Sequence, residues 1–101
     1  MGAQRLQPPV WATTARVPQH VVHRAFVNET VVLNLTSGRY HGLNPVAGRM
    51  LAVLDASATV ADAIEQLVAE YDQPRERIEA DLRALCAELA ERGLIELDAA
   101  G

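Results

Sequence analysis

From Val21 to Leu43 the chain is rich in β-branched residues, with Val31, Leu33 and Leu35 alternating at period two, and from Pro45 to Gly93 apolar residues recur at helical spacing. A chain whose pattern turns from β to helical at Asn44-Pro45 folds as strands followed by helices, which is an α+β order. Val21–Val27 is rich in β-branched residues, and Asn28-Glu29 follows as a turn. Val31, Leu33 and Leu35 share one face of a second strand. Thr36-Ser37-Gly38 is a short loop with glycine where a hairpin needs positive φ, and Arg39–Leu43 is a third strand. Two tight connections in succession make an antiparallel meander.

The helical part carries its own punctuation. Asn44 before Pro45 reads as an N-cap with proline in the first turn. Met50, Leu51 and Leu54 give the first helix an apolar face, ending near Asp55-Ala56. Thr59, with Asp62 three residues on, opens a second helix whose face is Val60, Ile64, Leu67, Val68 and Tyr71. Asp72-Gln73-Pro74 opens a third, with Ile78, Leu82, Leu85 and Leu89 on one side and Cys86 alongside. Gly93 stops it. Leu94–Leu97 is a short strand or a docked tail. The expected architecture is a three-stranded antiparallel sheet followed by three helices, winged helix-turn-helix-like in topology.

At 101 residues this is one domain. The expected division is an irregular arm at 1–17, broken by Pro8 and Pro9 and followed by Pro18, a domain at 18–97 and a frayed tail at 98–101. Trp11 in the arm either packs down on the body or anchors a partner. Met1–Leu6 has no apolar run of a signal peptide, and no stretch approaches the roughly 20 apolar residues of a membrane helix. The expectation is a cytoplasmic protein with no membrane partner.

Charge is split. Residues 1–54 hold five arginines and Glu29, for +4, and residues 55–101 hold four arginines and twelve acids, for −8. The third helix carries Glu76, Glu79, Asp81, Glu88 and Glu91, a poor surface for a phosphate backbone. Nucleic acid is therefore not the expected partner. That helix is either a solvated face with pairs such as Glu79–Arg83 and Glu88–Arg92, or the wall of a groove.

The parts for catalysis are missing. Every basic residue is arginine, so there is no lysine for a Schiff base or a phosphate loop. Cys86, amid Leu85 and Leu89, reads as core filler, and Ser37 and Ser57 have no nucleophile motif around them. His20 and His23 point to opposite faces if they lie on a strand, so they do not form a metal site, and both are expected to be exposed. His41 faces either a partner or solvent. No catalytic residue, metal or cofactor is expected.

A three-stranded sheet has two edges that something must cover or pair with. The third strand, Arg39-Tyr40-His41-Gly42-Leu43, is one of them. Either the arm or strand 94–97 hides it, or an extended peptide adds to it by β-augmentation beside the third helix. Proline at Gly42 or Leu43 is expected to remove a ladder donor and abolish such pairing.

Three stretches carry a resemblance. They are Val31–Pro45, with Ser-Gly-Arg-Tyr-His-Gly-Leu-Asn-Pro at its end, Thr59-Val60 through Tyr71-Asp72, and Asp81-Leu82 through Gly93-Leu94-Ile95. Together, over about residues 17–97, they resemble the PqqD-like RiPP recognition elements, most of all the stand-alone leader-binding B proteins of lasso-peptide clusters. The resemblance implies a small winged-helix-like fold and a non-catalytic adaptor. Such adaptors bind the leader segment of a ribosomally made precursor peptide and present it to a leader peptidase, a cysteine protease of transglutaminase-like fold. It implies pairing of the leader with Arg39, Tyr40, His41, Gly42 and Leu43, a pocket of Ile78, Leu82 and Leu85, and contacts from Arg39 and Arg83. The alternatives are a PqqD-type chaperone for a radical SAM enzyme in quinone-cofactor biosynthesis and a winged-helix DNA-binding regulator. The arm of about 16 residues lies outside the family pattern.

Overall fold

The computed structural model describes residues 11–98. In chain order these form β1 (Thr14–Arg16), β2 (Val21–Ala25), β3 (Thr30–Asn34), β4 (Tyr40–Leu43), α1 (Pro45–Ala56), α2 (Val60–Glu70), α3 (Arg75–Glu91) and β5 (Glu96–Asp98). The meander β2-β3-β4 is one antiparallel sheet, and β1 and β5 form a second, two-stranded one. The expected α+β order of three meander strands and then three helices is what the chain adopts.

Local chemistry sets the boundaries. Phe26 N–H donates to the Glu29 carbonyl at 2.7 Å, closing the β2–β3 turn two residues before the expected end of the strand. At the β3–β4 turn, Asn34 Oδ1 accepts from Thr36 and Ser37 N–H, and Gly38 takes φ +75°. Asn44 accepts from Ala47 N–H, with Pro45 in the first turn of α1. Thr59 accepts from Asp62 N–H at the start of α2. Gly93, at φ +74°, ends α3 in a Schellman motif: Leu94 N–H reaches the Leu89 carbonyl and Gly93 N–H reaches that of Ala90.

The core lies between the helices and one face of the meander. Leu51, Leu67, Leu82, Leu89, Leu94, Val32 and Cys86 are fully buried. The β3 register pairs Thr30 with Leu43 and Val32 with His41, so these residues share the helix-facing side. Val31 and Leu33 lie on the outer side, and Leu35 is exposed. The apolar alternation that marks β3 in the sequence is thus its outer face, and Thr30 and Val32 supply the inner one.

The arm departs from expectation. Thr14–Arg16 is not irregular: it pairs with Glu96–Asp98, Thr14 opposite Asp98 and Arg16 opposite Glu96. Thr13 N–H donates to the Asp98 carbonyl, and the Thr13 carbonyl accepts from Val60 N–H at the start of α2. Trp11 packs against the core and Ala12 is fully buried within it. The C-terminal strand is shifted: Leu94 and Ile95 are core residues, and Asp98, expected to fray, is a ladder partner. The remaining residues of the arm and tail, 1–10 and 99–101, lie outside the described part.

Candidate functional site

β4 lies at one edge of the meander, with β3 on its inner side. β1 and β5 pair with each other, so among the described residues neither expected cover, arm nor tail, pairs with β4. Which of its backbone groups are free follows from the ladder. Asn34 N–H donates to the Arg39 carbonyl at 2.9 Å, which makes residues 34 and 39 a hydrogen-bonded pair. Hydrogen-bonded and non-bonded pairs alternate along an antiparallel ladder. His41 therefore bonds inward to Val32 and Leu43 to Thr30, while Tyr40 and Gly42 aim their N–H and C=O groups outward.

The helical side of the edge is α3. Arg92 Nη1 lies 3.3 Å from His41 Nδ1, tying the end of α3 to β4. Arginine only donates, so Nδ1 is the acceptor. Asp81, Leu85, Glu88 and Arg92 fall at offsets 0, 4, 7 and 11 and so share one stripe of the helix, the stripe that ends at the Arg92–His41 contact. Two ion pairs border it, Arg92–Glu88 at 3.7 Å and Arg77–Asp81 at 3.8 Å. Of the two pairs expected on α3, Glu88–Arg92 forms. Glu79–Arg83 is not among the ion pairs of the described residues.

The remaining site candidates divide. Tyr40, His41 and Gly42 lie on the edge strand, with Arg39 just before it and exposed. Leu43 ends the strand but its side chain is buried in the core. Ile78 and Leu82 are likewise core residues, whereas Leu85, at 9% exposed, lies at the border of the core, on the stripe that ends at Arg92. Arg83 sits nine residues before Arg92, about two and a half helical turns, and so points to the opposite side of α3. There it lines a depression with Glu76, Glu79, Ala80, Ala84 and Ala87. Sequence periodicity finds the buried stripe of α3 but cannot tell which of its two borders meets β4. The His41–Arg92 contact supplies that.

The polar residues elsewhere have structural partners. His23, expected to be exposed, is part-buried with Nε2 2.9 Å from Asp55 Oδ2, joining β2 to the end of α1. Ser57 donates to the Val53 carbonyl, and Ser37 Oγ accepts from Arg39 N–H. Burial pushes the Cys86 thiol up to about 12, so it stays protonated at neutral pH. Arg49 meets Glu70 through two hydrogen bonds of 2.7 and 2.6 Å, and these hold the Glu70 carboxyl below its usual range. Among the described residues, no three His, Cys, Asp or Glu side chains gather into a metal-sized cluster, and no helix is long and apolar enough to cross a membrane.

A three-stranded meander backed by three helices, with its last strand unpaired on one side among the described residues, defines a PqqD-like RiPP recognition element. The chain belongs to that family: residues 29–95 match coenzyme PQQ synthesis protein D (PqqD). Two solved structures share the fold. TbiB1 in complex with the TbiA(beta) leader peptide is 31% identical, with a TM-score of 0.72 over 80% of this chain and 94% of that one. Lasso peptide synthetase B1 complexed with the leader peptide is 28% identical, with a TM-score of 0.70 over 81% and 96%. Among curated proteins, none matches.

Proposed function

We propose that this chain is a non-catalytic adaptor of lasso-peptide maturation. It binds the leader segment of a precursor peptide by strand addition to β4 and presents it to a leader peptidase. The observation that carries the reading is the open edge at Tyr40 and Gly42, next to the end of the α3 stripe of Asp81, Leu85, Glu88 and Arg92. The two leader-bound relatives support the choice of ligand. Tyr40 and Gly42 offer two donors and two acceptors, each bond worth roughly 0.5–1.5 kcal/mol net. Two or three apolar anchors add roughly 1.5–3 kcal/mol each.

The ladder phase sharpens the proline experiment. Gly42 N–H points outward, so Gly42→Pro removes a donor offered to the leader and leaves the β3–β4 bonds whole. A β-carbon there meets only the mobile end of the Glu29 side chain, at 2.8 Å. Leu43 N–H points to Thr30, so Leu43→Pro damages the sheet itself. Titration of a fluorescein-labelled lasso leader should saturate with the wild-type chain and fail with Gly42→Pro at an unchanged melting temperature. A wild-type chain that does not saturate at tens of micromolar would overturn the reading. The PQQ-type alternative predicts saturation with a PQQ precursor peptide instead.

A further inference from the structure

The outer face of the meander is largely apolar, and among the described residues no helix packs over it. Strand alternation puts Val22, Arg24, Val31, Leu33 and Tyr40 there, while α1 packs against the other side. Val22 is 45% exposed, Phe26 57% and Tyr40 71%. Val22, Phe26, Val31 and Leu33 line a cleft of about 440 Å³, and Arg24 stands in its wall. Arg16, Arg49, Arg75, Arg77 and Arg92 have carboxylate partners. Arg24 is not among the paired arginines of the described residues.

We propose that this face is the docking surface for a second protein, the enzyme that receives the leader. The enzyme would seat an apolar side chain in the Val22–Phe26 cleft and a carboxylate on Arg24. The inference rests on the adaptor reading and names the surface its partner uses. Three considerations select the occupant. A leader paired to β4 lies about 14 Å, three strand spacings, from β2, so it cannot cover Val22 or Phe26. A second copy seated by a two-fold axis on this cleft would bring Arg24 toward its own equivalent, an uncompensated like charge. An unpaired guanidinium inside an apolar cleft is complementary to an acidic-rimmed apolar surface. The added leader would also place every other side chain beside Tyr40, so the enzyme would meet adaptor and leader as one continuous sheet face.

The test uses Arg24→Glu, Arg24→Lys and Phe26→Ser in the full chain, each checked by thermal melting. Binding is measured separately to labelled lasso leader and to the purified leader peptidase that accompanies this chain, its catalytic cysteine replaced. Arg24→Glu and Phe26→Ser should weaken peptidase binding at least tenfold, Arg24→Lys should retain it, and leader affinity should stay within twofold. Undiminished peptidase binding by Arg24→Glu, or a wild-type chain that does not bind the peptidase, overturns the proposal. A parallel loss of leader affinity assigns the face to the leader site instead. Sedimentation showing a wild-type dimer that Phe26→Ser splits assigns it to a second copy, and also overturns it. If the wild-type chain takes up no leader, the adaptor reading fails by itself, while titration of the leader-free chain with the peptidase still decides the docking face.

Discussion

Gly48 in α1 lies so close over Thr30 of β3 that a β-carbon at position 48 would stand 2.6 Å from the threonine Cβ. Thr30 is buried on the inner face of the sheet. This contact sets how near α1 comes to the meander, and hence where the strand leading into α1, β4, is held.

Gly48→Ala should therefore destabilise the domain. In an open helix the change would gain up to about 1 kcal/mol. Here the new methyl meets backbone-anchored atoms that cannot swing away, and overpacking of this kind costs about 1–3 kcal/mol. Urea unfolding should show a lower midpoint with an unchanged slope. A midpoint equal to or above that of the wild type would mean that α1 can lift off β3 freely.

The two inter-helix ion pairs predict an acid limb of stability. Arg49 holds Glu70, and Arg75 holds Glu65, each chiefly by hydrogen bonding, and both carboxyls are lowered from their ordinary values. A group with a depressed folded pKa contributes stability above its unfolded pKa and loses it as pH falls through the folded one. Melting temperature should hold near neutrality and fall below about pH 4, the ordinary carboxylate range. Glu70→Gln should flatten that limb in part. Because the pairs are largely solvated, added salt should also shrink the effect. An acid limb identical in Glu70→Gln and the wild type would remove the pair from the explanation.

Cys86 serves as an internal reporter. It is fully buried in α3, and its thiol is pushed up to about 12. A thiol reagent at pH 8 should label the native chain only as fast as the domain opens, and the unfolded chain at once. Rapid labelling of the native state would mean that α3 separates from the core locally.

The elements that could be read from the sequence are those with a local cause. Asn44-Pro45, Thr59 with Asp62, and Gly93 each satisfy or end a helix through groups within a few residues. The Ile78–Leu89 stripe is likewise a property of one helix. The misreadings have distant causes. β1 and β5 are three residues each and find one another across about eighty positions. Nothing in Thr-Ala-Arg alone marks a strand. β3 has Val31 and Leu33 on one face and Val32 on the other, so alternation reveals a strand but not which face is covered. Gly48 sits in an unremarkable helix, and its meaning appears only against Thr30.

The arm makes a prediction of its own. The family match begins at residue 29, yet Ala12 is in the core and Thr13 bonds both Asp98 and Val60. Removing residues 1–16 should expose core surface, leave Val60 N–H unpartnered and lower the melting temperature. It should not alter leader affinity in the fraction that stays folded, because β1 pairs with β5 and not with β4. Loss of leader binding by a chain that remains folded would mean that the arm belongs to the site.

The helical phase of α3 separates its arginines. Arg92 touches His41 beside the open edge, and Arg83, half a turn out of phase, lies on the far side. Both are exposed, so replacing either should leave the fold intact. On the adaptor reading, Arg92→Ala removes the cation that borders the leader's path and frees His41 from its anchor. A charge-assisted contact of roughly 1.5 kcal/mol corresponds to a loss of about tenfold in leader affinity. Arg83→Ala should change it by less than twofold. Fluorescence titration of the two variants decides the matter: equal losses, or a larger one from Arg83→Ala, would place the leader on the outward depression of α3 rather than between α3 and β4.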